Sequence, residues 1–184
     1  MERIIYEIRR LLGKKPLAVI AIDGPCASGK TTLAREISKK IPSIIIHTDD
    51  FFLPPEMRSE ERLAQPGGNI HYERFAEEVV GGIKSGKEFA YRVFSCRSLS
   101  FVAEKRVDPM GLIIVEGSYS LRPEFEEIYD LKIFLKADYD ERIERIRKRD
   151  GEEKLEMFRK KWIPLEDKYF EYYGIEQKCD IVIK

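Results

Sequence analysis

This chain has no disulfide framework. Its three cysteines, Cys26, Cys96 and Cys179, are odd in number and widely spaced, so they suit neither paired bridges nor a zinc site, and a reducing cytoplasm is the expected setting. It has no apolar run near the ~18 residues needed to cross a bilayer. Its first residues, Met1-Glu2-Arg3-Ile4-Ile5-Tyr6, are too charged for the apolar centre of a secretory signal. It also has no net charge: 33 Lys and Arg balance 33 Asp and Glu. No global field draws it to nucleic acid or an anionic membrane, so any anion site must be local. There is no repeat, no low-complexity tract and no basic stripe interleaved with aromatics, so neither nucleic acid nor membrane is expected as a partner.

What remains is a globular composition. Of 184 residues, 43% are hydrophobic and 36% charged, which suits one domain with a sizeable core and a charged surface.

Apolar residues Ile4, Ile5, Ile8, Leu11 and Leu12 recur at helical spacing before Gly13. Leu17 to Ile22 is a nearly continuous apolar run, as in a strand buried on both faces of a parallel sheet. A glycine-containing loop follows, then a helical stretch from Lys30 to Ile41, then a β-branched run from Ser43 to Ile46. This is the opening of a βαβ crossover. Asp49 to Gly68, rich in Pro, Gly and charge, reads as loop, and Tyr72 to Val80 as a helix ending at Gly81-Gly82. Phe89 to Phe101 suggests an inserted hairpin. Leu112 to Val115, Leu131 to Leu135 and Asp180 to Ile183 read as three further strands. Asp140 to Arg149 is a charged helix, and Glu152 to Tyr173 a helix broken near Pro164. Strands alternating with helices predict an α/β fold with a five-stranded, mainly parallel sheet flanked by helices. The expected organisation is a single domain over 1–184, with an N-terminal helix at 1–14, an insertion at about 50–105 and a short lid at about 145–165.

The loop carries the chemistry. Gly24-Pro25-Cys26-Ala27-Ser28-Gly29-Lys30-Thr31 matches G-x-x-x-x-G-K-[ST]. Its glycines let successive N–H groups turn inward onto phosphate oxygens, and the helix that follows adds its positive end. In this pattern Lys30 reaches the β- and γ-phosphates and the Thr31 hydroxyl faces Mg²⁺; Thr32 completes the binding segment. A surface turn could match by chance, but this one lies between a buried-strand pattern and a helix, as a P-loop must.

In open α/β sheets, ligands gather at the carboxyl ends of the strands. Ile44-Ile45-Ile46 leads to Asp49-Asp50, and Leu112 to Val115 leads to Glu116. Alone, these acids would read as a turn, a cap or a polar strand end. Beside a P-loop they are candidates to hold a metal and to accept a proton. Arg142, Arg145, Arg147 and Arg149 would ordinarily form a solvated helix face. Phosphoryl transfer also needs arginines to neutralise the moving group, and Arg145 and Arg149 share a face, so one or both are candidates.

With these residues in hand, the sequence resembles the uridine kinase, phosphoribulokinase and bacterial pantothenate kinase family of P-loop kinases. The resemblance runs from about Leu17 to the C-terminus. GPCASGKT is similar to the family's phosphate loop. Thr48-Asp49-Asp50-Phe51-Phe52 resembles its Asp-x-Phe signature, which implies Asp49 as general base. Ile114-Val115-Glu116-Gly117 resembles its apolar-Glu-Gly strand end, which implies Glu116 as a magnesium ligand, with Thr31 and Asp49 beside it. Arg145-Ile146-Arg147-Lys148-Arg149-Asp150 is similar to the start of its lid, which implies Arg149 on the phosphates. Trp162-Ile163-Pro164 and Cys179 to Ile183 echo the following helix and last strand.

The departures fall on the acceptor side. Asn69-Ile70-His71-Tyr72 stands where uridine kinases have Asn-Phe-Asp-His-Pro, with His71 at the sugar-binding Asp, and the family's base-gripping hairpin residues find no clear match.

The resemblance implies an ATP- and Mg²⁺-dependent kinase for a small-molecule hydroxyl, with Lys30, Asp49 and Arg149 at the reaction. His71, Tyr72, Arg74, Tyr91 and Arg92 are the candidate acceptor contacts. The acceptor could instead be pantothenate, a sugar phosphate or a nucleoside monophosphate, for which Arg92 and Arg97 could serve. A nucleotide-binding switch or ATPase module is the alternative from another class. Self-association is left open.

Overall fold

The computed structural model describes residues 1–184. Helix α1 (Glu2–Leu12) packs its Ile4, Ile5 and Ile8 face inward. Strand β1 (Leu17–Asp23) feeds the loop, and the loop feeds α2 (Lys30–Lys40), followed by β2 (Ser43–His47). A 3₁₀ turn at Thr48–Phe51 leads through a second at Pro55–Met57 to the short helix α3 (Glu60–Ala64). Then come α4 (Tyr72–Phe75), a π turn at Ala76–Val80 and α5 (Gly81–Ser85). Strands β3 (Phe89–Ser95) and β4 (Ser100–Val107) form an antiparallel hairpin. Next are β5 (Gly111–Glu116), a 3₁₀ stretch at Pro123–Ile128, β6 (Leu131–Leu135) and α6 (Tyr139–Asp150). The chain ends with α7 (Glu152–Met157), a π turn at Phe158–Trp162, α8 (Ile163–Tyr173), a 3₁₀ turn at Glu176–Lys178 and β7 (Ile181–Ile183).

The five-stranded sheet runs β2-β5-β1-β6-β7, and every pairing is parallel. Its central strands β1 and β5 are buried on both faces, as their continuous apolar runs require, while the edge strands β2 and β7 are only partly covered. On one face Ile20, Ile22, Ile114 and Ile133 pack with Ile4 and Ile8 of α1 and Ile37 of α2. On the other, Val19, Ala21, Ile113 and Val115 pack with Phe75, Phe125 and Tyr169. Strand registers align the site: Glu116 pairs with Ile22 of β1 and with His47 of β2. The acid-bearing strand end therefore lies beside the start of the loop.

Three local readings change. The 49–68 stretch is not plain loop but holds the two 3₁₀ turns and α3. The helix expected to stop at Gly81-Gly82 runs through both to Gly86, which closes it in the left-handed region. Gly82 is there for space, because a Cβ would collide with the Phe89 ring. The break near Pro164 is a π turn at Phe158–Trp162 within continuous helical backbone, the wider turn standing where the proline lacks an N–H to donate.

Candidate active site

The loop between β1 and α2 is fixed from below. Buried Asp23 accepts hydrogen bonds from the Gly24 N–H (2.7 Å), the Leu121 N–H (3.0 Å) and the Tyr169 hydroxyl (2.8 Å). Burial pushes its carboxyl up to about 6, against the pull of those amides and of Lys30. Gly24, at φ 144°, must be glycine: a Cβ there would collide with the Leu135 carbonyl. The Lys30 ammonium folds back onto the loop, donating to the carbonyls of Gly24 (2.8 Å) and Pro25 (2.9 Å).

At the start of α2, the Thr31 hydroxyl donates to Glu116 Oε1 (2.7 Å), and His47 Nδ1 lies 2.6 Å from the same oxygen. Burial opposes the charge on Glu116. The hydrogen bonds from His47 and Thr31, with Lys30 nearby, outweigh it and hold the carboxyl below the usual range. The same bond raises the His47 pKa. Gly117, at φ 135°, leaves room for Thr48, whose hydroxyl donates to the Ser118 carbonyl (3.0 Å). That contact ties the Asp49 turn to the end of β5. The Asp49 carboxylate is open to solvent but stands deep in the cleft. The loss of surrounding water raises its pKa; Lys30 offsets part of this, and Glu116 and Glu166 add to it.

The outer wall is α6 and α8. Arg145 donates to the Ala27 (3.0 Å) and Ser28 (3.3 Å) carbonyls, and exposed Arg149 lines the same cleft. Two residues not singled out as site residues from the sequence complete the contact. Glu166, 5% exposed, accepts from the Cys26 N–H (2.8 Å) and the Ser118 hydroxyl (2.7 Å). Arg142 donates to the Cys26 carbonyl (3.0 Å) and lies 3.4 Å from Glu166. The Cys26 thiol is pushed up to about 11 by burial and by Glu166, so it is not a nucleophile near neutral pH. Neither residue carries a motif; only their positions on helices that pass the loop reveal them.

These elements enclose a cleft of about 1160 Å³, more than one drug-sized ligand occupies. Cys26, Ala27, Gly29, Lys30, Thr31, Thr32, Asp49, Glu116, Arg145 and Arg149 line it, while Gly24, Pro25 and Ser28 shape the loop behind. No group of three His, Cys, Asp or Glu side chains forms an all-protein metal cage. The oxygens of Thr31, Glu116 and Asp49 are hard donors of the kind that hold magnesium by one or two carboxylates together with phosphate oxygens.

The five expected acceptor contacts lie outside this cleft, each engaged elsewhere. His71 caps α4, with Nδ1 accepting from the Arg74 N–H. Tyr72 is sandwiched between the guanidinium groups of Arg62 (3.9 Å) and Arg122 (4.0 Å). Arg74 is buried and bridges the Asp50 and Arg92 carbonyls. Tyr91 is buried with its hydroxyl on Asp50, and Arg92 pairs with Glu78. The cleft wall there is instead Phe52, Arg58, Asn69, Cys96, Arg97 and Trp162.

Comparison with known proteins agrees with the fold. The family profile described as an AAA domain (AAA_18) matches residues 20–164. A curated uridine kinase of Clostridium botulinum is 30% identical over 156 residues, covering 77% of this chain and 72% of that protein. The chain belongs to the uridine kinase family of P-loop kinases. A second family member, the uridine kinase of Ureaplasma parvum, is 28% identical over 155 residues, covering 79% of this chain and 74% of the relative. The fold of a possible uridine kinase from Bacillus stearothermophilus superposes with a TM-score of 0.71 at 21% identity, covering 100% of this chain and 98% of that one.

Proposed function

We propose that this protein transfers the γ-phosphoryl group of ATP to a hydroxyl of a small molecule, with magnesium. The observation that carries the reading is the convergence of Lys30, Thr31, Asp49 and Glu116 in one cleft at the carboxyl ends of β1, β2 and β5. The activity for which the curated relatives are named, uridine kinase, is of this type. The three cysteines are all free, which supports a reducing cytoplasm as the site of action.

In this reading Lys30 leaves the Gly24 and Pro25 carbonyls for the β- and γ-phosphate oxygens. Thr31 and Glu116 would hold the magnesium, with Asp49 contributing directly or through water; the metal would supply neutralisation of the charge that develops on the phosphates. Asp49 accepts the acceptor hydroxyl's proton as the new O–P bond forms and the bond to the β-phosphate oxygen breaks. Arg145 and Arg149, on the lid segment at about 145–165, screen the transferring group and exclude water that would otherwise be phosphorylated in the acceptor's place.

Asp49→Asn tests this. Nucleotide affinity should be kept while transfer falls by roughly 10²–10⁴-fold. Full transfer activity in the variant would place the base elsewhere.

A further inference from the structure

Asn69 is 4% exposed and lines the cleft, and neither its amide nitrogen nor its oxygen makes a hydrogen bond of normal geometry, although the Tyr119 hydroxyl is close by. Its backbone is fixed: the carbonyl accepts from the Leu53 N–H (3.0 Å), and Ile70 forms a bridge with Phe52. A buried amide held in place and left unsatisfied calls for a ligand group.

Two arginines stand in the same wall. Arg58 donates its Nε to the Leu53 carbonyl (2.8 Å), which pins the stem, and its guanidinium faces the Cys96 thiol rather than a carboxylate. Arg97 lies at the tip of the β3–β4 hairpin and also lines the cleft. The Cys96 thiol is close enough to both Arg58 and Asp49 to feel their charges, so this cationic patch sits beside the proposed base. The other arginines of the cleft each carry a carboxylate: Arg145 pairs with Glu141 and Arg149 with Asp150. Arg58 and Arg97 have no carboxylate.

We propose that the phosphoryl acceptor is an anionic hydroxyl compound, its carboxylate or phosphate held by Arg58 and Arg97 and its polar backbone by Asn69. This rests on the kinase reading above. A neutral nucleoside would leave both guanidinium groups unpaired in a closing cleft, which disfavours it.

The test is a library of hydroxyl compounds in which each anion is matched to its neutral counterpart: glycerate and glycerol 3-phosphate with glycerol, ribose 5-phosphate with ribose, and uridine alongside. The anionic members should exceed their neutral partners in kcat/KM by about 10–100-fold, and the carboxylate and phosphate arms show which anion is preferred. Arg97→Ala and Arg58→Ala should each erase most of that ratio through the acceptor's KM, with the KM for ATP unchanged. Arg97 is exposed, so its removal spares the fold. Preference for uridine or another neutral acceptor, or an unchanged ratio in both variants, would overturn the proposal. If no compound is phosphorylated, the protein loaded with magnesium and a non-hydrolysable ATP analogue is titrated calorimetrically with the same pairs. Binding of the anions alone would support the anion site while removing the kinase reading. Equal binding of each pair, or no binding of any anion, would refute the site itself.

Discussion

Replacing Arg74 should destabilise the fold rather than merely weaken acceptor binding. Its side chain is 3% exposed. It donates to the Asp50 carbonyl (2.7 Å) and the Arg92 carbonyl (2.6 Å), pairs with Glu78 (3.1 Å) and lies 4.1 Å over the Phe51 ring. It therefore joins the Asp49 turn to α4 and to the hairpin. In Arg74→Ala two carbonyls lose a charged donor, at about 1–3 kcal/mol each, and the ring contact adds about 0.5–2. Glu78 keeps Arg92, so its charge is not orphaned. The expected loss is about 3–5 kcal/mol, a large share of the roughly 5–15 available to a domain. Arg74→Lys keeps the charge but cannot reach two carbonyls and a carboxylate at once, so it should lose an intermediate amount. Equilibrium unfolding in urea measures both, and turnover should fall with them because the Asp49 turn shifts. An unfolding free energy within about 0.5 kcal/mol of wild type for Arg74→Ala, with a raised acceptor KM, would refute the argument and return Arg74 to the substrate.

Two other predictions concern carboxylates. Glu116→Gln should raise the magnesium concentration needed for half-maximal turnover, because Thr31 and His47 would then face a neutral amide; an unchanged magnesium titration would count against Glu116 as a ligand. Asp23 holds its proton up to about pH 6 in the folded state, against an ordinary value of 3.8. Its contribution to stability is complete below pH 3.8 and is lost as the pH rises through 6. Two units correspond to about 3 kcal/mol. Unfolding in urea should therefore need less denaturant at pH 7 than at pH 5, and Asp23→Asn should flatten that slope. The same slope in the variant would assign the effect to another group.

The catalytic half of the cleft was legible in the sequence because each part of it is local. A P-loop is contiguous, and Asp49 and Glu116 directly follow apolar runs whose parallel pairing forces their ends together. The opposite wall was legible only in part, because it is assembled from distant segments: Arg97 and the Asn69–Tyr72 stretch stood out in the sequence, while Arg58 did not. Asn69 reaches the cleft only because Phe52 bridges Ile70, and Arg97 only because the hairpin folds back over the Asp49 turn. Tyr72, Arg74 and Tyr91 have the chemistry of ligand contacts, but they spend it on one another's neighbours inside the wall. The helix through Gly81-Gly82 was obscured for a related reason. A glycine pair normally stops a helix, and here the Phe89 ring, seven residues beyond Gly82, is what requires it.

The central claim is that the loop around Lys30 wraps the phosphates of a magnesium nucleotide. Calorimetric titration of the wild-type chain and Lys30→Ala with ATP and magnesium measures it directly. Wild type should bind one equivalent, with uptake lost or weakened by orders of magnitude in the variant. No heat from wild type, or equal affinity in the two proteins, would contradict it.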